Sequence, residues 1–330
     1  MELVEFGPDD DARVRAFVDL ARTIDAADCP WEMPRSAYRQ AMYMRHSWEG
    51  EPGRWFLAYD GAQPVGTASI DASDYDNLEM AWFSVRVDPA YRRLGHGTAI
   101  LRALESHAAA MGRPLLGVDG WDSEASRGFA VAAGYDLKSA EIRRVQVVKE
   151  APEILPLRDE ALAAAGDYEL IRIEGYTPAE LLPGLVDITA AINDAPFDDL
   201  EWEEEIYSPE RVVAYERAQI ESGFRFRRLV ARHRPTGELA GHTVVVVDSA
   251  DPETADQHDT TVVRAHRGHR LGLLLKTEML LWLAETEPQI THIHTNNAES
   301  NRYMIAVNER LGYRPVGRLL EFQRRIGRVV

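Results

Sequence analysis

The sequence predicts a mixed α/β fold built twice in tandem. Three observations predict it. Strand-like and helix-like patterns follow the same order in both halves. A turn rich in arginine, histidine and glycine recurs, as YRRLGHGTAIL at 91–101 and HRGHRLGLLLK at 266–276. Glycines keep a steady spacing: Gly66 and Gly241 stand 175 residues apart, as do Gly97 and Gly272, while Gly134-Tyr135 precedes Gly312-Tyr313 by 178. A period this long implies fused domains rather than a solenoid. A chain of 330 residues also suits two domains better than one. The expected division is an N-terminal module at 1–150, a linker at 151–167 and a C-terminal module at 168–330. The linker opens APEILP and turns alanine-rich.

Each element of the first half has a local reason. Residues 2–6 read as a short strand, and helical patterns cover 10–25 and 35–47. Segments 54–60 and 64–72 read as strands joined by the turn Asp60-Gly61. A third strand, about 79–88, ends at Asp88-Pro89. A helix from 96 to 111 puts Ile100, Leu101, Leu104, Ala108 and Met111 on one face, and Gly112 suits its stop. A strand near 114–119, a short helix near 124–133 and a strand near 138–148 complete the module.

The second half repeats the order. After a strand at 168–173, Thr177-Pro178-Ala179-Glu180 reads as a capping box with proline at the first helical position. Ser208-Pro209 opens a second helix in the same way. Strands near 227–233 and 238–248 flank the turn Pro235-Thr236-Gly237. A strand near 256–263 leads into the second loop. The next helix buries Leu274, Leu275, Met279, Leu280 and Leu283. A strand near 290–295, a helix near 299–310 and a strand near 315–324 follow.

Composition excludes several classes. No apolar run approaches the ~20 residues of a membrane span. The N-terminal MELVEFGPDDD lacks the layout of a signal peptide, so a cytoplasmic location is expected. Cys29 is the only cysteine, which excludes an intrachain disulfide and a cysteine-ligated metal cluster. A net charge of −17 argues against a nucleic-acid surface. It suits a cationic substrate, and equally suits solubility alone.

The two loops carry the functional signal. Each opens a helix, so its amides are placed to cradle a pyrophosphate. Gly95-His96-Gly97 lacks the third glycine of a dinucleotide fingerprint. No Walker lysine pattern and no G-x-S-x-G is present. The order of elements, with Val87-Asp88-Pro89 followed by Arg92, Gly95 and Gly97, resembles the GNAT acetyltransferase superfamily. The arrangement is similar to the tandem type of the mycothiol synthases. The second half holds Val262, Arg267 and Gly272, but Arg270 replaces the middle glycine and Arg264 the proline.

The resemblance implies two GNAT-like acyl-CoA N-acyltransferase domains of mixed α/β sheet. It implies acetyl-CoA (coenzyme A) held by Val85, Val87, Arg92, Arg93, Leu94, Gly95, His96, Gly97 and Thr98 in the first domain. In the second it implies Val262, Arg267, Gly268, His269, Arg270, Leu271, Gly272 and Asn301. Arg270 either sets its guanidinium on a phosphate or marks a decayed loop. The oxyanion donor is expected near Val87 or Val262. The family's acid tyrosine falls at Asn308 and Ala130, so both halves depart from the pattern. The family's base, about six residues before the valine, falls at Asp256, with His258 on the same strand face and able to titrate usefully. The first half offers Ala81, with Glu79 one step earlier.

Other features carry open readings. Residues 194–205, DAPFDDLEWEEE, set Phe197 and Trp202 among carboxylates. In this fold they fall where the acceptor pocket is shaped, or else form a solvated loop. His292 and His294 alternate on a strand and serve either a metal or, more simply, the cleft wall. Tyr303 suits packing. The reading is an N-acetyltransferase for a small amine, cationic or neutral, with chemistry in the C-terminal domain through Asp256, His258 and Asn308. The expected state is a monomer or homodimer, without nucleic acid, membrane or metal. The alternatives are a non-catalytic acyl-CoA sensor and a protein lysine acetyltransferase.

Overall fold

The computed structural model describes residues 1–32 and 36–327. The chain forms two compact units, and neither is one stretch of sequence. Unit 1 comprises Met1–Glu141, Phe197–Glu204 and Gly317–Val330; unit 2 comprises Ile142–Pro196 and Glu205–Val316.

The first part of the chain forms β1 (Glu2–Phe6), α1 (Asp11–Asp28), α2 (Ala37–His46), β2 (Arg54–Asp60), β3 (Gln63–Asp71) and β4 (Met80–Val87). It continues with α3 (His96–Ala110), β5 (Leu115–Trp121), α4 (Glu124–Ala132) and β6 (Asp136–Val147). Local chemistry sets the boundaries. Asp10, Ser36 and Ser123 cap α1, α2 and α4 by accepting the amides of Arg13, Arg39 and Ser126. Gly112, at φ 73°, ends α3 in the left-handed region. The helix expected over 35–47 runs from Ala37, and residue 35 lies outside the described residues.

The second part forms α5 (Ile154–Ala164), β7 (Tyr168–Glu174), α6 (Leu182–Ala190), α7 (Pro209–Glu221), β8 (Phe224–His233) and β9 (Leu239–Asp248). Then follow β10 (Thr254–Val262), α8 (Leu271–Thr286), β11 (His292–Ala298), α9 (Arg302–Arg310) and β12 (Arg314–Arg325). Ser208 caps α7 as expected, accepting from Arg211 N–H at 3.2 Å. Thr177 does not form the expected capping box. Its hydroxyl and amide both donate to Glu216, which is fully buried against Arg228, so the tertiary ion pair takes the cap residue. The stretch expected as a linker holds α5, whose Ala161 is buried in the core shared with Leu274, Leu275 and Met279 of α8.

In unit 1 the strands run β1-β2-β3-β4-β5-β12. All neighbours are antiparallel except β4 and β5. Period-two alternation sends Ala81 and Phe83 into a core with Ile100 and Leu104 of α3. The opposite face packs Trp55 and Leu57 on Phe17 and Ile24 of α1. In unit 2 the strands run β11-β10-β9-β8-β7, parallel only between β10 and β11. One face carries α5, α8 and α9; on the other, Leu185 and Ile188 of α6 and Val212 of α7 meet Val230. Among the described residues no helix is long and apolar enough to cross a membrane.

Candidate active site

Each unit opens a wedge in its sheet where its two parallel strands part. β4 and β5 pair only from Met80↔Leu115 to Phe83↔Val118, although β4 runs on to Val87. β10 and β11 pair only from Thr254↔His292 to Asp256↔His294, although β10 runs on to Val262. Backbone groups beyond the last pair face a gap rather than a neighbour. The units differ on the other edge. β4 holds constant register on β3, while β10 has a bulge on β9 between Gln257 and Thr260.

The loop after each wedge turns through the left-handed region into a helix. In unit 1, Arg93 and Gly95 have φ 66° and 89°; in unit 2, Gly268 and Arg270 have 87° and 56°. The first helical bond of α3 is Ala99 N–H to Gly95 O, and that of α8 is Leu274 N–H to Arg270 O. The amides of His96, Gly97 and Thr98, and of Leu271, Gly272 and Leu273, thus precede the helical ladder. A Cβ added at Gly95 or Gly272 would meet nothing within 4 Å, so their bareness serves no internal packing. At Gly97 it would reach the Phe129 ring at 3.3 Å. These amides and open glycines fit a pyrophosphate.

The loop arginines have partners within the protein. Arg92 donates from Nε to the carbonyl of Val87 at 3.0 Å and grips Asp28 with both terminal nitrogens. Arg267 repeats this with Val262 at 3.0 Å and Asp194 at 2.6 Å. Both staple the loop to its strand. Arg270 is ion-paired with Glu160 of α5, so its guanidinium is engaged by the protein. Val85, Val87 and Val262 are half-buried, and Leu94, Thr98 and His269 are exposed. His96 is buried, with Nε2 3.7 Å from Asp60. Asn301 is a helix cap: its side chain accepts Met304 N–H at 3.2 Å.

In unit 2 the expected base and its histidine neighbour both have close partners. Asp256 lies 3.4 Å from Arg143 Nη2. His258 Nδ1 sits 2.6 Å from the Tyr215 hydroxyl of α7. Burial, aided by Arg143, pushes His258 down to about 3, well below the useful range expected of it. Asn308 is fully buried; its Nδ2 donates to Asn297 Oδ1 at 2.7 Å, and its Oδ1 has no donor among the described residues. His294 is buried, and His292 Nδ1 lies 2.8 Å from the Thr291 hydroxyl. Among the described residues no group of three histidines, cysteines or carboxylates gathers as for a metal. Tyr303 is exposed.

Unit 1 holds a cluster that sequence reasoning missed. Asp119 is the first β5 residue past the last pair with β4, so it stands at the wedge mouth. Glu321 of β12 is directly opposite it across the strand pair. The Trp82 indole N–H donates to Asp119 Oδ2 at 2.9 Å. Its ring covers Gly117, where an added Cβ would come within 2.1 Å of it. Trp31 meets Trp121 edge-on at 5.4 Å, and both rings close over Gly317. Burial, then the carboxylates of Glu141, Asp119 and Asp198, raises Glu321 to about 7. The Ser139 hydroxyl opposes that rise only in part.

The acidic segment completes the same unit. Asp198 accepts the Ser139 hydroxyl at 3.0 Å, Glu201 pairs with Arg325 at 2.8 Å, and Glu203 accepts Asn77 N–H at 3.0 Å. Phe197 and Trp202 stack at 5.9 Å. Residues 197–204 are therefore held in unit 1 rather than free in solvent. No local pattern near Asp119 or Glu321 announces their meeting, because about 200 residues separate them.

The Acetyltransferase (GNAT) family profile matches residues 20–135. No curated protein matches the sequence. Among solved structures, a tandem GNAT protein from the clavulanic acid biosynthesis pathway is 25% identical, with TM-score 0.80 over 99% of this chain and 98% of that one. A GCN5-related N-acetyltransferase from Sphaerobacter thermophilus is 15% identical, with TM-score 0.70 over 98% and 96%. A glucosamine N-acetyltransferase region of a fungal β-N-acetylglucosaminidase is 13% identical, with TM-score 0.68 over 97% of this chain and 38% of that one.

Proposed function

We propose that this chain, whose residues 20–135 are a GNAT acetyltransferase domain within a tandem GNAT fold, is an acyl-CoA-dependent N-acetyltransferase with its chemistry in unit 1. The acceptor is a small cationic amine. The observation that carries this reading is the Asp119–Glu321 pair at the wedge mouth. An ammonium must lose a proton before it attacks a thioester. A carboxylate poised near 7 takes that proton well at neutral pH. Asp119, fixed by Trp82, supplies negative charge that draws and orients the ammonium. Trp31 and Trp121 present ring surface on which a cation is favoured.

The acyl donor is acetyl-CoA, whose pyrophosphate the amides of residues 96–98 are placed to bind. A thiol leaving group has a pKa near 8.5, so it departs without a strong acid. That accommodates Ala130 at the family's tyrosine position. Thiol release over a panel of polyamines and amino sugars tests the reading. Glu321→Gln is expected to lower kcat by roughly 10²–10⁴-fold with acetyl-CoA affinity retained. Asp256→Asn is expected to stay near wild type; loss of turnover there with an active Glu321→Gln would move the chemistry to unit 2. Tight acetyl-CoA binding without turnover on any amine would make the chain a sensor.

A further inference from the structure

Unit 2 carries α5, to which no helix of unit 1 corresponds among the described residues. α5 packs along α8 and contributes Ala161 and Ala165 to the shared core. Its side chains are tied to both neighbouring helices. Arg158 Nε donates to Glu278 of α8 at 2.7 Å. Glu160 is ion-paired with Arg270, which opens α8, and with Arg310 at the end of α9, the latter at 2.5 Å. Pro152, just before α5, sits over Gly312, where an added Cβ would come within 2.8 Å of it. α5 is thus fastened to the opening of α8 and to the end of α9.

The burial of the two loop helices differs accordingly. Every residue of α8 from Leu271 to Thr277 is buried, which is about two turns of helix on all sides. Over the matching stretch of α3, 96–102, only His96, Ile100 and Leu101 are buried. Register on Gly97 and Gly272 sets buried Leu273 and Thr277 where unit 1 has exposed Thr98 and Arg102. A helix apolar all round, as LGLLLKTEMLLWLAET is, needs cover on every side. The backbone is covered too. Gly272 has no side chain, so its burial is burial of the main chain, whereas Gly97 is half-buried between exposed Gly95 and Thr98. The room beside the Gly272 Cα is therefore enclosed by the protein. A pyrophosphate binds a helix N-terminus only where it can reach the bare amides.

We propose that α5 is a built-in plug over the second loop, so that each chain binds one acyl-CoA, in unit 1; this rests on the acyl-CoA reading above. The Glu160 carboxylate meets Arg270 and Arg310 as a phosphate oxygen would. These ion pairs are largely exposed and contribute little by themselves. The apolar contact of α5 with α8 holds the plug in place. Unit 2 keeps its loop as a helix opening and not as a cofactor site. The single acyl donor then lies in the unit that holds Glu321.

The test titrates the full chain with acetyl-CoA by calorimetry and follows backbone hydrogen exchange by mass spectrometry, with and without the ligand. One molecule per chain is expected. Peptides covering 95–99 should gain protection on binding. Peptides covering 270–274 should be protected already and unchanged by it. Gly97→Trp, checked for folding by circular dichroism, should abolish binding, because the new ring meets Phe129. Two molecules per chain, ligand-induced protection at 270–274, or one molecule still bound by Gly97→Trp overturns the proposal. Fast exchange at 270–274 in the free chain overturns it whatever the ligand does. Slow exchange there with no binding at all overturns the acyl-CoA reading, and with it the single unit 1 site, while the plug stands.

Discussion

Arg324 in unit 1 donates to the carbonyl of Ala133, and Gln146 in unit 2 donates to that of Leu311. Each carbonyl belongs to the residue just before the repeated Gly-Tyr pair, so the two donors are equivalent. Three residues earlier along each strand stand Glu321 in unit 1 and Arg143 in unit 2. Glu321 faces Asp119; Arg143 reaches Asn296 Oδ1 at 3.4 Å. One copy of the frame therefore sets two carboxyl groups side by side where the other sets a guanidinium beside an amide. The loop staples from Arg92 and Arg267 are kept in both. The scaffold is duplicated, and the electrostatics at its mouth is reversed. In unit 2 Arg143 also lies 3.4 Å from Asp256, the base that the resemblance implies.

That comparison is exposed to measurement. The largest stability effect is expected at Lys276. Its folded pKa is depressed to about 7 against about 10.4 unfolded, so the unfolded chain binds the extra proton between those values. Stability then rises with pH across that window, by on the order of 4 kcal/mol, and the penalty is full below it. Lys276→Met should remove that slope and raise stability at pH 7, read by urea unfolding at several pH values. Glu321 should show the opposite sign. Its folded pKa is raised to about 7 against about 4.3 unfolded, so the folded chain binds the extra proton. Stability falls as pH rises from about 4 to 7, on the order of 3 kcal/mol, and Glu321→Gln should abolish that fall. Two slopes of the same sign would break the contrast between the units.

Smaller effects sharpen it. Gly117→Ala forces a methyl into the Trp82 ring, and its neighbour must move. About 1–3 kcal/mol of destabilisation is expected, with a loss of turnover because Asp119 loses its indole donor. Retained turnover with a displaced Trp82 fluorescence would remove that tryptophan from the site. Asn301→Ala should cost about 1 kcal/mol as a lost helix cap and leave acetyl-CoA affinity unchanged. A drop in affinity by calorimetry would restore the ligand role that the resemblance implies for it.

Much of the scaffold was legible in the chain. Gly97, Gly272 and the cap at Ser208 are local signals, and each stands at the helix start expected of it. The loops themselves were legible, because a glycine-bearing turn before an amphipathic run has one simple geometry. Arg92, Arg267 and Arg270 were legible as loop residues but not in their partners. Asp28, Asp194 and Glu160 come from elements far away in sequence. His258 was legible as a strand residue, but its pKa depends on how deeply the sheet and α7 bury it. Lys276 had a signal of its own, a lone lysine in the run LGLLLKTEML, which only its burial made meaningful.

The sequence by itself determined the duplication, the element order, the two helix-opening loops and the family resemblance. These rest on spacing and periodicity, which local backbone geometry enforces. Tertiary structure alone decided which segments complete which unit. It delivered Phe197–Glu204 and Gly317–Val330 to unit 1, and with them Asp198 and Glu321. The physical reason is that strand periodicity tells which face a side chain takes but not which strand lies beside it. Glu321 stands opposite Asp119 only because segments about 200 residues apart pair with each other.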